Sequence, residues 1–309
     1  MPPFLRFSCP RCARALPVDP GGGTASTESV GCEPCGHSYR RVDGIWRFLV
    51  DEDAHREFSE AYRSTRQAEG WGSLDAAYLR ALPSVPADDA HAWIWRIRSR
   101  SFEALRDEIR SLRPQTAVEL GAGNSWLAYR LSEAGIRTAA VDLSDDEADG
   151  LGAWRAYGDP PPFEPVQAEL DRLPFSDGVF EMAIFNGSFH YAQDALRSLR
   201  EALRVLGPEG RLVIVDTPFY PSEADGVAML EESGRHDRVG FLCPSRLDET
   251  AETLGLTWHR RDLPMGWRWR VKNQLRGLTG RRRLAAFPLL VAVREAQAGS
   301  EIEPAGESS

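Results

Sequence analysis

The chain has 309 residues, which is room for one sizeable α/β domain with a small appendage. A net charge of −9 excludes a protein that is basic over its whole surface, and 42% apolar residues predict an ordinary globular core. No run of 18 apolar residues occurs and the N-terminus has no apolar signal segment, so the sequence predicts no membrane partner and a cytoplasmic location.

The first zone, residues 1–50, holds four of the five cysteines in two close pairs. Two such pairs place four thiolates tetrahedrally around one Zn²⁺, in a closed and therefore structural site. A zinc ribbon is predicted because a module of this size has too little apolar area to fold unaided. A redox pair or a metal-free arrangement is the alternative, and His37 is a substitute ligand. The four predicted ligands flank a glycine-rich loop at 19–27 and are Cys9, Cys12, Cys32 and Cys35.

The second zone, residues 51–113, is predicted to be a helical lid or linker. Apolar residues recur at near-helical spacing over residues 90–112, and a proline follows. The segment at 58–72 is expected to cover a bound ligand, although core packing explains its aromatic residues equally well. The residues expected to face the ligand are Tyr62, Arg66 and Trp71.

The third zone, residues 114–296, alternates short apolar strands with helical stretches, which indicates a parallel sheet covered on both faces. Helices are predicted at 126–133 and 194–206. The last two strands are separated by a segment without a clear helical pattern and are expected to pair as an edge hairpin. A polar tail at 297–309 is predicted to be disordered. The strand candidates are TAVEL, TAAVDL, PVQAEL, MAIFN, GRLVIVDT, LTWHRRDL and PLLVAVRE.

The stretch VELGAGNSW, residues 118–126, predicts a strand, a glycine turn and the start of a helix. Glycines there let backbone N–H groups approach an anionic ligand at the helix N-terminus. Asp142 ends the second strand 21 residues after Gly121, where a carboxylate can bind ribose hydroxyls. A dinucleotide site needs a third glycine at the position of Trp126, whose side chain is too large. An ordinary tight turn is the alternative to a nucleoside site.

These residues resemble the class I S-adenosylmethionine-dependent methyltransferases, of the kind called methyltransferase type 11. Their first motif is acid-x-G-x-G-x-G, and ELGAGNS departs from it only at Ser125. Two further stretches match in order and spacing: AELDRLPFSDGVFEMAIFNGSFHY and EALRVLGPEGRLVIVD. The resemblance covers residues 116–216 and extends to about 296 with the closing strands. It implies a Rossmann-like seven-stranded sheet with helices on both faces, preceded by the ribbon and the helical segment.

The resemblance also implies a site for S-adenosylmethionine. Glu119 suits the ammonium group of the cofactor, and Asn186 ends the fourth strand beside the sulfonium. Glu169 is the expected adenine-side acid, with Asp171 as second choice. Ser125 or Asn124 is expected to cap the helix that begins at Trp126. The full set of predicted cofactor residues is Glu119, Gly121, Ala122, Gly123, Asn124, Asp142, Leu143, Glu169, Leu170 and Asn186.

His190 and Tyr191 follow the fourth strand and are the predicted catalytic residues. Methyl transfer is an in-line displacement, which a base can assist by removing the proton of the nucleophile. Packing or capping is the alternative role for this histidine, since alignment alone suffices for many such enzymes. The long connection after the fifth strand is expected to build the acceptor pocket, with the candidate lining residues Tyr220, Met229, His236 and Phe241. The fifth cysteine, Cys243, is predicted to be a core or pocket-wall residue.

Residues 260–283 form a basic segment with nine basic residues and one acid, a net +8 on an acidic chain. Trp267 and Trp269 lie within it and are able to stack on bases or on a planar substrate. The segment suits RNA or a phosphorylated acceptor; an arm paired with the acidic body, or a dimer contact, is the alternative. Lys272 is the single lysine of the chain, a bias typical of GC-rich bacterial genomes.

The segment CEPCGHSYRRVDGIWRFL resembles the ribbon that precedes some bacterial methyltransferase domains, among them the rRNA guanine methyltransferases, whose ribbon helps to hold RNA. That family has a Cys-x-x-x-His second half, which this chain lacks. The ribbon is therefore also interpreted as a docking or stabilising module that packs through Ile45, Trp46 and Phe48.

The sequence thus predicts methyl transfer from S-adenosylmethionine to a small-molecule acceptor, including acceptors of secondary metabolism. One alternative is an RNA methyltransferase for rRNA or tRNA that uses the ribbon and the Arg260–Arg283 segment. The other is a catalytically inactive methyltransferase-like binding protein, in which Ser125 marks a weakened cofactor site. The acceptor, the atom methylated and the oligomeric state are not predicted.

Overall fold

The computed structural model of the protein describes residues 5–17, 29–234 and 240–294, without the side chains of residues 52–54 and 58. The glycine-rich loop at 19–27, the tail at 297–309 and the pocket candidate His236 therefore lie outside the described residues.

Ten strands are formed within these ranges: β1 (Ser29–Cys32), β2 (His37–Val42), β3 (Ile45–Arg47), β4 (Thr116–Leu120), β5 (Arg137–Asp142), β6 (Glu164–Gln167), β7 (Phe180–Asn186), β8 (Leu206–Val215), β9 (Leu256–Arg261) and β10 (Leu289–Arg294). The α-helices of the same ranges are α1 (Glu52–Ala68), α2 (Ala76–Ala81), α3 (Ala92–Leu112), α4 (Trp126–Glu133), α5 (Ala195–Arg204), α6 (Glu223–Ser233), α7 (Pro244–Leu254) and α8 (Trp267–Leu278). Short 3-10 turns lie at Glu33–Cys35, Leu151–Ala156 and Phe189–Tyr191.

The strands form one sheet in the order β1-β2-β3-β6-β5-β4-β7-β8-β10-β9. The strands from β6 to β8 in this order run parallel, while β10 is antiparallel to both β8 and β9. The seven strands from β6 to β9 are the predicted Rossmann-like sheet, and the edge hairpin of β9 and β10 is confirmed. The segment between those two strands, which has no clear crossover-helix pattern in the sequence, contains the helix α8. Arg, Lys, Gln and Leu, which favour helices, dominate its sequence WRWRVKNQLRGL.

Both faces of the sheet are covered, and alternate residues of each strand enter two different cores. Val118 and Leu120 of β4 pack on the face covered by α5 and α7. Ala117 of the same strand packs on the opposite face, with apolar residues of α2, α3 and α4. The parallel strands therefore end at a common edge, which carries the loops between strands and helices and is where ligands of such sheets bind.

The N-terminal ribbon extends this sheet. Strand β3 pairs with β6 in parallel, Trp46 opposite Val166, and the Phe48 N–H donates to the Gln167 carbonyl at 2.8 Å. Ile45, Trp46 and Phe48 are all buried, which confirms the predicted packing. The ring centroid of Phe7 lies 4.8 Å from that of Phe48 and 5.9 Å from that of Phe175, so ribbon and main core share one aromatic cluster. Among the described residues, no helix is long and apolar enough to cross a membrane.

Candidate cofactor and acceptor site

The glycine turn after β4 has three residues in the left-handed region, Gly121 (φ 73°), Gly123 (φ 53°) and Ser125 (φ 62°). A Cβ at Gly121 would lie 2.4 Å from the Cβ of Ser188, whose hydroxyl donates to the Leu120 carbonyl. Gly121 is thus required both by its φ and by this close approach. Ser125 holds the position of the third glycine of the methyltransferase motif and has a positive φ, a conformation that glycine adopts more readily than serine.

Of the two predicted helix caps, Ser125 makes no capping bond, whereas Asn124 makes a long one. Ser125 occupies the N-cap position of α4, but its left-handed backbone makes no side-chain capping bond, and its buried Oγ has no hydrogen-bond partner among the described residues. Two other side chains satisfy the N–H groups of this helix end. Glu119 Oε2 accepts from the Ala128 N–H at 2.8 Å, and Asn124 Oδ1 accepts a longer bond of 3.4 Å from the Trp126 N–H.

Glu119 is almost completely buried, between α4 and the end of β7. Its Oε1 accepts a hydrogen bond from Asn186 Nδ2 at 3.3 Å, in addition to the bond from Ala128. Burial raises the pKa of Glu119 to about 8, although both of these hydrogen bonds lower it. The structure therefore joins two predicted cofactor residues directly, whereas the contact between Glu119 and an ammonium group stays a prediction.

Glu119→Gln is expected to remove a pH dependence of stability. The raised pKa means that the folded protein binds a proton that the unfolded chain has lost, so this stabilisation is complete below about pH 4.5 and is lost as the pH rises through about 8. Glutamine cannot ionise, and rotation of the Asn186 amide group preserves the hydrogen bond between the two side chains. Thermal unfolding from about pH 5 to about pH 9 should show a falling Tm for the wild type and a flatter profile for the variant, a difference on the order of 1–4 kcal/mol in free energy of unfolding. Glu249→Gln, on the exposed face of α7, is the control; equal slopes in all three proteins would contradict the assignment.

Asp142, the last residue of the neighbouring strand β5, binds the glycine turn through its side chain. Its Oδ2 accepts from the Gly123 N–H and its Oδ1 from the Ser144 N–H, each at 2.8 Å. Burial raises the pKa of Asp142, while these backbone hydrogen bonds act in the opposite direction. Each carboxylate oxygen keeps a second lone pair for a ligand hydroxyl. The next residue, Leu143, is half-buried, and its carbonyl accepts from Gln167 Nε2 at 2.8 Å, which fixes the loop after β5 against β6.

Glu169, the predicted adenine-side acid, lies buried just after β6. Its Oε1 is 2.7 Å from Nε2 of His55 on α1, and its Oε2 is 3.6 Å from Nε of Arg172. Leu170 packs against the main core. Asp171, the second choice, instead approaches Arg197 of α5 at 3.6 Å. The structure thus brings Glu169, and not Asp171, into contact with the helix that was expected to form a lid.

A cavity of about 490 Å³ opens beside the end of β7. The predicted catalytic residues His190 and Tyr191 line it, and the Tyr191 ring meets the ring of Tyr62 edge to face at 5.5 Å. Burial, and then the charge of Arg98, lower the pKa of His190 to about 3. Its imidazole is therefore neutral at pH 7, and its buried Nδ1 has no hydrogen-bond partner in the described part of the chain. The other residues that line this cavity are Arg66, Glu69, Trp71, His91, Trp93, Ile94, Ile97, Arg98, Gly187, Asp216, Pro218 and Phe287.

Two residues of this cavity, Arg98 and Asp216, were missed by sequence reasoning. Asp216 follows β8 at the same edge as Asp142, a position that signals a ligand-facing carboxylate. One of its oxygens accepts from the Ser101 hydroxyl, and the buried Oδ2 is without a partner in the residues described. Arg98 lies three positions before Ser101 in α3, within the buried stripe of that helix, where an arginine is unusual.

Arg98 is half-buried and stacks its guanidinium over two indole rings, 4.7 Å from the centroid of Trp95 and 5.4 Å from that of Trp71. Burial lowers its pKa, and the charge of Asp216 opposes this effect. The guanidinium nevertheless keeps its positive charge at any working pH. Arg98 also lines a smaller cavity of about 230 Å³, whose wall includes Asn124 of the glycine turn. It therefore stands between the predicted cofactor side and the predicted acceptor side.

Of the lining residues predicted in the connection after β8, the three that the structure describes, Tyr220, Met229 and Phe241, do not line the 490 Å³ cavity. Tyr220 and Phe241 pack against each other edge to face at 5.9 Å, in a separate small cluster. Met229 packs against the same cluster. Cys243 is fully buried there, which confirms its prediction as a core residue.

The four cysteines of the ribbon converge. Their sulfur atoms all lie within 4.8 Å of one another, with Cys9 and Cys35 at 3.9 Å and Cys12 and Cys32 at 3.5 Å. Zn–S bonds of 2.3 Å in a tetrahedron require S–S distances of about 3.8 Å. The hydroxyl of Tyr39 lies 3.2 Å from the sulfur of Cys9. The donor set and its spacing therefore fit a zinc ion.

The central part of the chain matches one known protein family. Residues 118–214 match the family described as "Methyltransferase domain". Residues 118–214 are therefore a class I S-adenosylmethionine-dependent methyltransferase domain. The methyltransferase is 27% identical to 27-O-demethylrifamycin SV methyltransferase of Amycolatopsis mediterranei over 59% of this chain and 76% of that one. It is 33% identical to sarcosine/dimethylglycine N-methyltransferase of Halorhodospira halochloris over 41% of this chain and 45% of that one, so it spans under half of this second relative.

One solved structure, an S-adenosylmethionine-dependent methyltransferase from Mesorhizobium loti, superimposes on the methyltransferase with a TM-score of 0.49 at 19% identity. The superposition covers 63% of this chain and 98% of that one. It carries no information about the acceptor.

Proposed function

We propose that the methyltransferase transfers a methyl group from S-adenosylmethionine to a small-molecule acceptor bound in the 490 Å³ cavity. The observation that carries this proposal is the position of that cavity, at the carboxyl edge of the sheet against Gly187, where Arg98 also lines the smaller cavity that contains Asn124 of the glycine turn. Its volume and its aromatic lining suit a compact ligand. The names of the two relatives support small-molecule acceptors; one name specifies an oxygen and the other a nitrogen, so the atom methylated is left open.

The residues of the carboxyl edge fit S-adenosylmethionine. When bound, this cofactor supplies an electrophilic methyl group on a sulfonium centre. Asp142 offers acceptor lone pairs for the ribose hydroxyls, and Glu169, just after β6, is the acid proposed for the adenine side. The charged guanidinium of Arg98 is a binding group for the carboxylate of the methionine end. Glu119, through Asn186 and α4, fixes the turn around that end.

We further propose that α1 is a lid over the cofactor. Three of its side chains pair with acids on the loops that follow β5 and β6. Arg66 donates two hydrogen bonds to the Asp149 carboxylate, from Nε at 2.6 Å and from Nη2 at 3.1 Å. This ion pair is partly buried. The other two pairs are Arg63 with Asp146 and His55 with Glu169. A helix held by these three pairs excludes water from the reacting groups.

On the acceptor side, His190 and Asp216 have different chemical properties. A pKa of about 3 makes His190 a weak base, but its neutral Nδ1 is able to accept a hydrogen bond and align the acceptor. Burial raises the pKa of Asp216, so its carboxylate is a stronger base than an ordinary aspartate. We assign proton removal from the acceptor to Asp216 and alignment to His190 and Tyr191.

The proposed function is tested in two steps. Calorimetry with S-adenosylmethionine measures cofactor binding, and no measurable heat would favour an inactive methyltransferase-like protein. Formation of S-adenosylhomocysteine is then followed with a panel of small phenols, hydroxyquinones and secondary amines, and separately with tRNA and rRNA fragments. Turnover with a small molecule is the expected result. Turnover restricted to RNA would overturn the acceptor class while leaving the cofactor assignment intact.

Asp216→Asn is expected to lower kcat about 100-fold with an acceptor found in that panel, because a general base contributes this much or more. Cofactor affinity by calorimetry should be unchanged, since the substitution keeps the shape of the side chain. The wild-type rate should fall as the pH decreases through the pKa of Asp216. Asp248→Asn, on the surface of α7, is the matched control. If the kcat of Asp216→Asn equalled that of the wild type, Asp216 would not be the general base, and catalysis would depend on alignment of the acceptor alone.

The ribbon cluster is proposed to hold one structural zinc ion. Cys9, Cys12, Cys32 and Cys35 would provide all four ligands, so no position is open to a substrate. The support is the convergence of four sulfurs at tetrahedral spacing, where Cys32 ends β1 and Cys35 lies in the 3-10 turn that follows it. His37 is exposed and does not belong to this cluster.

A further inference from the structure

The helix α8 has an unusual orientation on the protein surface. Its inward face is held by polar bonds: Asn273 Oδ1 accepts from the Leu284 N–H at 2.8 Å, and Arg276 Nε donates to the Arg282 carbonyl at 2.7 Å. Its outward face is apolar, whereas surface helices ordinarily bury that face against the core. The solvent-exposed fractions of its apolar side chains are 71% for Trp267, 48% for Val271, 56% for Leu275 and 78% for Leu278.

These four residues form one stripe. At 100° per residue, positions 267, 271, 275 and 278 fall within an arc of about 80°. Arg268 and Lys272 border the stripe on one side and Arg270 on the other, and none of the three makes an ion pair with any residue that the structure describes. Trp269 is half-buried and lies on the other side of the helix, so of the two tryptophans predicted to stack on bases or on a planar substrate only Trp267 is exposed.

The basic segment is therefore not one continuous cationic surface. Part of it is neutralised locally: Arg261 pairs with Asp107 of α3, and Arg282 pairs with Glu232 of α6. Arg260 pairs with Asp262. Of the remaining basic residues, Arg268, Arg270 and Lys272 border the exposed apolar stripe of α8. Charge and apolar area thus combine on a single helix face.

We infer that α8 is an interfacial helix that docks the methyltransferase on an anionic lipid surface. An exposed apolar stripe with an aromatic residue, bordered by cations, is the pattern of helices that lie in the headgroup region of a bilayer. The cations complement anionic headgroups, while Trp267, Leu275 and Leu278 enter the boundary of the acyl chains. The earlier expectation of no membrane partner rested on the lack of a spanning segment, which an interfacial helix does not need.

Two other occupants fit the surface less well. RNA offers phosphates to the cations but has no apolar surface to cover Val271, Leu275 and Leu278. A second copy of the chain in a symmetric contact would bring two α8 helices together, and each has four basic residues and no acid. Such a contact opposes like charges. An anionic bilayer satisfies both the charge and the apolar area.

The helix α8 lies close to the segment that lines the acceptor cavity, so docking of this helix on a membrane also positions the cavity. The helix lies in the connection between β9 and β10. The segment that leads into the helix is bonded to α3, because Arg100 donates to the Pro264 carbonyl at 2.8 Å. Phe287, a few residues after the helix and just before β10, lines the 490 Å³ cavity. Docking through α8 therefore places the carboxyl edge of the sheet, and with it the acceptor cavity, near the lipid surface.

The test is co-sedimentation of the full chain with phosphatidylcholine vesicles, with and without phosphatidylglycerol, at low and at physiological ionic strength. Binding that requires phosphatidylglycerol is expected. Leu275→Ser with Leu278→Ser should weaken it about 10-fold or more, because apolar area is lost from the interface. Neutralising Arg268, Arg270 and Lys272 to glutamine should weaken it on the order of 100-fold. Leu74→Ser is the matched control, since Leu74 is 75% exposed and lies outside α8.

Circular dichroism and Tm establish that each variant is folded, which is expected because the substituted side chains are exposed. Absence of vesicle binding, or equal binding by all variants, would overturn the inference. Two further outcomes would replace it with another partner. The first is RNA binding that the glutamine variant loses and the leucine variant keeps. The second is a dimer in analytical ultracentrifugation that the leucine variant abolishes.

Discussion

Replacing Asp142 with alanine is expected to weaken S-adenosylmethionine binding by about 100-fold or more. The carboxylate has two functions in the structure, because it accepts the N–H groups of Gly123 and Ser144 and is the predicted partner of the ribose hydroxyls. Each hydrogen bond to a charged group contributes about 1.5–3 kcal/mol, so loss of a bidentate ribose contact alone accounts for this factor. Isothermal titration calorimetry measures the change directly.

The control for Asp142→Ala is Asp177→Ala, the same substitution at an exposed aspartate that precedes β7, at the opposite edge of the sheet. Its affinity for the cofactor should equal that of the wild type. Thermal unfolding separates the two functions of Asp142: loss of the backbone bonds lowers the Tm, whereas loss of the ribose contact lowers affinity in a protein that is still folded. Unchanged affinity in folded Asp142→Ala would refute the ribose contact.

Replacing Cys9 with serine is expected to release zinc and to lower the free energy of unfolding by at least about 3 kcal/mol. Cys9 is buried at the base of the cluster, with the Tyr39 hydroxyl beside its sulfur. The effect extends beyond the ribbon because β3 pairs with β6 and Phe48 packs in the main core. Metal content by mass spectrometry should fall from one zinc per chain, and treatment of the wild type with a strong chelator should reproduce the fall in Tm.

Cys243→Ser is the control for the zinc prediction, since it makes the same chemical change at a buried cysteine outside the cluster. This variant should retain one zinc ion per chain, even if the change in core packing lowers its stability. An intact metal count in Cys9→Ser would contradict the tetrathiolate site. A wild-type protein purified without metal, and with an unchanged Tm after chelation, would do the same.

The strands and helices of the methyltransferase sheet follow from local patterns. Helix α4 begins and ends where its sequence predicts, and the edge hairpin forms from two apolar strands. The predicted site residues also reach the carboxyl edge, because strand ends in a parallel sheet meet there. The functions assigned to those residues stay predictions that the experiments above test.

Side-chain partners were less accessible to sequence reasoning. A serine before a helix indicates a cap, but the left-handed backbone of Ser125 makes no such bond, and Glu119 from the adjacent strand satisfies the helix end instead. Arg98 had no local signal except its place in an apolar stripe. Its importance depends on two indole rings and on Asp216, which come from other parts of the chain.

The sequence by itself determined the fold class, the glycine turn and the cysteine pairs, because each depends on residues that are neighbours along the chain or on one strand-to-helix connection. The tertiary structure decided three other features. It joined the ribbon to the sheet through β3 and β6, it placed Arg98 and Asp216 beside His190, and it turned the apolar stripe of α8 toward solvent. The reason is physical: burial, pKa and exposure depend on which distant segments pack together, and the periodicity of one segment does not contain that information.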